Sequence, residues 1–144
     1  MHKNSFVLDV NIWVSIFLKR QTELIESVAS EEKNNIFRST ELTNELEKVL
    51  RYKKLEKKWN KPIEEYLEFY KYFTIDYHTS PVFQDCRAPK DNYLFYLAIQ
   101  SQADYLVSGD DDVLGVKINP PPQIISFAGS VSNRLLYRYF PFLK

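Results

Sequence analysis

The chain has 144 residues, 44% of them hydrophobic and 15% aromatic, which suffices for one domain with a sizeable core and excludes a disordered chain. Nineteen Lys and Arg balance nineteen Asp and Glu, so there is no generalised basic coat, and any contact with nucleic acid must be a local patch. A single cysteine, Cys86, and two distant histidines, His2 and His78, exclude an internal disulfide and a zinc-ligand spacing, so any metal is expected to be hard and oxygen-bound. No apolar run approaches the ~18 residues of a membrane span and no signal-peptide order is present, so a cytoplasmic location is expected.

Ser5 to Leu8 reads as a short strand ending at Asp9, followed by helical spacing from Asn11 to Lys19, with Asn11 able to cap the start. Asp9 stands either in an ordinary turn or at the carboxyl end of a strand, where open α/β sheets place their ligands. A second helix is expected over Thr22 to Glu32; Lys33 to Asn35 break it, and Ile36 to Arg38 is a second short strand. Ser39 or Thr40 then caps a helix whose Leu42, Leu46, Val49 and Leu50 follow the i, i+4, i+7, i+8 pattern. At about 100° per residue, Glu45 falls at the edge of that stripe while Glu41 and Glu47 turn toward solvent. Glu45 is thus either a rim glutamate or one that leans into an interior site.

Arg51 to Lys61 interleaves Tyr52 and Trp59 with basic side chains, of which Arg51, Lys53 and Lys54 are candidate nucleic-acid contacts. The run suits a single strand, whose phosphates need neutralising and whose bases can stack, and equally a solvated helix face with two packing anchors. Pro62 opens a helix over Ile63 to Phe73, Thr74 to His78 is extended, and Thr79 to Pro89 is a loop. From Lys90 a helix runs to Gln102 with Asp91 in its first turn, where the acid either serves the helix-start amides or points into a site.

Ala103 to Ser108 is apolar on both faces, as a central parallel strand should be, and Gly109 then leads into Asp110, Asp111 and Asp112. Three adjacent carboxylates repel one another, so the stretch is either an exposed acidic turn or half of a metal site. Asp110, directly after the strand, is the candidate for coordination and Asp112 for an outer contact. A last strand is expected over Gln123 to Phe127, and the aromatic tail Asn133 to Lys144 is a candidate protein contact.

Strands alternating with helices imply a three-layer α/β/α sandwich with a central, mainly parallel sheet and a single domain over residues 1–144. Parallel strands share one carboxyl side, so Asp9, Glu45, Asp91 and Asp110, with Asp112, can meet in one crevice although far apart in sequence. Carboxylates without His or Cys suit Mg²⁺ or Mn²⁺ and hence phosphoryl or phosphodiester chemistry.

At these residues the chain resembles the PIN-domain nucleases, and most closely those that are toxins of toxin–antitoxin modules. Val-Leu-Asp9-Val-Asn11-Ile-Trp-Val-Ser is similar to the family's opening segment, and Ser39-Thr-Glu-Leu-Thr-Asn-Glu45 to its second acidic motif. Cys86-Arg-Ala-Pro-Lys-Asp91-Asn92 is similar to the third, and Ser108-Gly-Asp110-Asp-Asp112 to the fourth. The resemblance implies Asp9, Glu45, Asp91 and Asp110 as catalytic, metal-binding acids, with Asp112 adding to the site and Asn11 and Ser108 supporting it. It implies Mg²⁺- or Mn²⁺-dependent endonucleolytic hydrolysis of single-stranded RNA, a cognate antitoxin protein and a homodimer. Ala88 departs from it, standing where the subgroup usually has another Asp. Two other readings are a PIN-like RNA- or protein-binding module without catalysis and a Mg²⁺ phosphatase of the haloacid-dehalogenase type; Asn11 cannot serve as the second acid that the latter needs.

Overall fold

The apolar run before Asp9 becomes the central strand of the sheet. In the computed structural model, which describes residues 4–30, 34–80 and 92–110 and the backbone of 123–126, β1 (Asn4–Leu8) lies between β2 (Asn34–Arg38) and β4 (Tyr105–Ser108). β3 (Ile75–Asp76) and β5 (Gln123–Ser126) flank these in the order β3-β2-β1-β4-β5, and every pairing is parallel. Phe6, Val7 and Leu8 are all fully buried, as expected for a strand covered on both faces. The helices α1 (Val10–Leu18), α2 (Thr22–Ser30), α3 (Thr40–Leu50), α4 (Ile63–Tyr72) and α5 (Asn92–Gln100) complete the α/β/α layering. Among the described residues no helix is long and apolar enough to cross a membrane.

The chain leaves β1 toward β2 on one side, while β4 joins β1 on the other, in the register Leu8↔Val107. The carboxyl ends of β1 and β4 therefore flank the point where the strand order reverses, the crevice open sheets use for ligands. Ser5 and Asp104 fasten the opposite end of this pair: Asp104 Oδ2 accepts from Ser5 N at 2.8 Å and from Ser5 Oγ at 3.2 Å, and Asp104 N donates to Ser5 O at 2.9 Å.

Local departures from the sequence expectation have physical causes. Asp9, not Asn11, caps α1: its backbone is extended (φ −61°, ψ 157°), and its carboxylate accepts from Val10 N. The helix can start at Val10 because one residue both ends the strand and caps the helix. β2 begins at Asn34, two residues earlier than expected, where the Asn34 amide donates to Val28 O at 3.2 Å and satisfies the buried side chain. The basic run folds as a short 3₁₀ helix (Lys53–Lys58), after which the Trp59 indole N–H donates to Leu50 O at 2.8 Å. α5 ends at Gln100 because Gln102 turns left-handed at φ 57°, letting Ala103 N reach back to Ala98 O at 2.9 Å.

An aromatic column locks α1 to α4. Trp13 meets the edge of Tyr70 with ring centres 4.9 Å apart, and Phe17 packs on Tyr66 at 5.0 Å. Burial raises the Tyr70 hydroxyl well above the ordinary tyrosine range, partly offset by its hydrogen bond with Thr43 on α3. Through Thr43 the column also reaches α3, the helix that carries Glu45. The loop up to Pro89, Ala88, the helix start at Lys90 and Asp91, the residues Asp111 and Asp112, and the aromatic tail lie outside the described residues.

Candidate active site

Asp9 carries the densest set of constraints in the crevice. Only 6% of its surface is exposed, and it sits at the positive end of α1, a favourable place for negative charge. Its backbone N–H continues the sheet by donating to Val107 O at 2.9 Å. Oδ1 accepts from Val10 N at 2.6 Å and Oδ2 accepts from the Ser108 hydroxyl at 2.7 Å, so both oxygens are held.

Ser108, fully buried at the end of β4, is the hinge between two acids. The Asp110 amide donates to Ser108 Oγ at 3.0 Å, and an N–H can only donate there. The single hydroxyl proton is therefore committed to Asp9, which fixes the carboxylate plane and the turn carrying Asp110 with one side chain. Removing that hydroxyl would take one hydrogen bond from the buried Asp9 carboxylate and one from the Asp110 amide.

Asp9, Glu45 and Asp110 line one cavity of about 500 Å³, together with Asn11, Lys48, Tyr52, Lys54 and Tyr93. Glu45, on the face of α3 beside buried Leu42 and Leu46, leans inward from the helix edge. Among the described residues no three acids stand close enough to hold a metal ion between them. A hard cation does not require that: Mg²⁺ is commonly held by one or two carboxylates and keeps its waters for phosphate oxygens. An all-oxygen donor set, one member buried and oriented by hydrogen bonds, fits such an ion.

The basic residues divide. Lys54 reaches the cavity wall, as does Lys48, which sequence reasoning missed although it lies three residues after Glu45 and so on a neighbouring helix face. Arg51 faces an adjoining recess and is engaged by Glu47, at 3.1 Å, and Glu64, at 3.2 Å. Those hydrogen bonds raise the guanidinium still further; Glu64 is lowered, first by its own backbone amide and then by Arg51. Lys53 is exposed and lines neither hollow.

The order of these features along the chain decides the family: the PIN domain matches residues 5–112, three quarters of the sequence and the whole of the β1-to-Asp110 frame. The chain belongs to the PIN-domain family. No curated protein and no solved structure gives a match to it. PIN domains are in general nucleases that bind nucleic acid and use divalent metals, and in this PIN domain Asp9, Glu45 and Asp110 line the cavity at the switch point.

Proposed function

We propose that this PIN domain is a Mg²⁺- or Mn²⁺-dependent endoribonuclease that cuts single-stranded RNA by in-line hydrolysis, leaving a 5′-phosphate and a 3′-hydroxyl. One observation carries the reading: Asp9, Glu45 and Asp110, from three separate elements, line the same cavity at the point where the strand order reverses. Asp9, Glu45 and Asp110 would hold the metal, with Asp91 and Asp112 as further ligands carried by the family resemblance. The ion supplies Lewis acidity at the scissile phosphate and at the attacking water. The chain's own part is positioning. Ser108 holds the Asp9 carboxylate in one orientation, and the α1 amino end and Val10 N–H hold its other oxygen. Lys48 and Lys54, with Lys53 outside the wall, bring positive charge to the approaching strand. The same resemblance supports a toxin held in check by an antitoxin protein, acting in the cytoplasm as a homodimer.

A phosphatase reading has less support. It asks Asp9 to attack phosphorus with a carboxylate already engaged through both oxygens, and Asn11 offers no second acid. Incubating the purified chain with single-stranded RNA and Mg²⁺ or Mn²⁺ tests the proposal. Cleavage lost in Asp9→Asn and Asp110→Asn is expected; an uncut substrate with both metals, or cleavage that persists in both variants, overturns it. Growth arrest on expression, relieved by a small neighbouring reading frame, tests the toxin role.

A further inference from the structure

Tyr52 stands where two hollows meet. It lines the acidic cavity and also the adjoining recess of about 350 Å³, whose walls include Trp59 and Lys61. Its backbone is held from both sides: Tyr52 N donates to Val49 O at 3.0 Å, closing α3, and Tyr52 O accepts from Leu55 N at 2.9 Å, opening the 3₁₀ helix. The segment behind it is pinned by Leu55 packing on the core and by the Trp59 bond to Leu50 O. A ring on so fixed a base loses little freedom when something lies on it. Tyr52 lies outside the buried core and keeps 37% of its residue surface exposed.

Charge of both signs surrounds it: Asp9, Glu45 and Asp110 line the cavity and Glu56 the recess, and a lysine stands over the ring. The Lys54 ammonium lies over the Tyr52 ring, 5.8 Å from its centre, so a stacked base takes the other face or displaces it, and Lys48, four residues before Tyr52, shares the cavity wall with both. Arg51, the neighbouring cation, is instead engaged by two glutamates, and Lys61 stands in the recess, so on the cavity side it is Lys48 and Lys54 that add positive charge beside the ring. A partly exposed aromatic ring with a lysine over it, a second lysine nearby and three carboxylates lining the same cavity can grip an unpaired nucleotide: the ring stacks the base while the cations take the phosphates.

We infer that Tyr52 is a base-stacking platform beside the cleavage site, on which one unpaired base of a single-stranded polynucleotide lies while Lys48 and Lys54 neutralise the phosphates running from it to the carboxylates. This rests on the nuclease reading of the cavity and deepens it. A duplex cannot use the platform, because its bases already stack on each other. Stacking also tolerates any base, so the platform selects strandedness rather than sequence.

Binding in the Asp9→Asn background with Mg²⁺ tests the platform, since the strand is then held without being cut. Fluorescence anisotropy is read with a labelled RNA single strand, its duplex, and the same strand carrying one abasic position moved along its length. Tyr52→Ala is expected to weaken single-strand binding by about fivefold or more, while Tyr52→Phe, which keeps the ring, retains wild-type affinity. One abasic position should weaken the parent by the same factor and cost the Tyr52→Ala chain nothing more. Lys48→Ala and Lys54→Ala should each lower the salt slope by about 0.7, and Tyr52→Ala should leave it unchanged. The platform is overturned if Tyr52→Ala binds like its parent, if duplex binds as tightly as single strand, or if only a protein and no oligonucleotide binds. Failure of the nuclease reading shows separately, as a wild-type chain that cuts nothing in Mg²⁺ or Mn²⁺; failure of the platform alone shows as a Tyr52→Ala chain that cuts and binds normally.

Discussion

The β1–β4 pair is fastened at each end by one serine and one aspartate, with the roles exchanged. At the amino end Ser5 on β1 donates to Asp104 beside β4; at the carboxyl end Ser108 on β4 donates to Asp9 after β1. The chemistry is nearly the same and the surroundings are not. Asp104 is half-buried and takes both bonds from Ser5 on a single oxygen, so it acts as a staple for the first turn of the sheet. Asp9 is buried, splits its two oxygens between a helix-start amide and a serine hydroxyl, and opens onto a cavity shared with two more carboxylates. A Ser–Asp bridge is therefore not a site by itself. What makes one is its place at the carboxyl ends of parallel strands, where a helix start and a reversal of strand order supply dipole and space.

The contrast can be broken most sharply at Asp9. Asp9→Asn keeps the side-chain shape but only one of the two accepting oxygens, so it should cost about 1 kcal/mol of stability through the lost hydrogen bond while RNA cleavage falls by about 10³-fold or more. A drop in stability with cleavage retained would make Asp9 a second staple. Next in size, Ser108→Ala should cost both properties, with about 10- to 100-fold in activity or metal affinity and about 1–3 kcal/mol in urea unfolding. Loss of stability alone would separate the hydroxyl from the chemistry. Asp104→Ala should destabilise by about 1 kcal/mol through the stranded Ser5 amide and leave the folded enzyme's cleavage rate unchanged. A rate loss on the scale of Ser108→Ala would erase the distinction between the two ends.

The smallest effect is electrostatic and belongs to the rim. Glu64 is held below the usual glutamate range, so its contribution is present above the unfolded-state value and is lost as pH falls through the lower folded value. Glu64→Gln should remove a slight acid sensitivity of the melting temperature and leave RNA affinity as it was, because Arg51 keeps Glu47. Tighter RNA binding in that variant would show that the ion pair, rather than geometry, keeps Arg51 out of the cavity.

Much of this frame was legible in the chain because its signals are local. Phe6 to Leu8 and Tyr105 to Ser108 are short apolar runs with an acid just beyond each, and the parallel sheet follows from their alternation with helices. Helical spacing put Glu45 at the edge of the apolar stripe but left open whether it stood at the rim or leaned inward, and the fold places it on the cavity wall. Lys48 was not singled out, because a lysine on a half-exposed helix looks like any solubilising charge until its neighbours in space are known. Arg51 looked as available as Lys54, since only its Glu47 partner is near in sequence while Glu64 arrives across the turn from α4. The helix ends at Arg20 and Gln102 gave no warning either: both take the left-handed conformation, at φ 54° and 57°, without the glycine that usually announces it.

The Ser108–Asp9 hydrogen bond spans 99 positions of sequence. No early fragment of the chain can contain it, and loop closure over that distance comes late in folding, after the local helices have formed. Any opening large enough to part β1 from β4 would therefore separate Asp9 from Ser108 and from the turn that carries Asp110. The Ser108–Asp9 bond forms only with the completed β1–β4 pair, so the Asp9 amide, which donates to Val107 O across that pair, should exchange its hydrogen only at the rate of the slowest, most global opening of the domain.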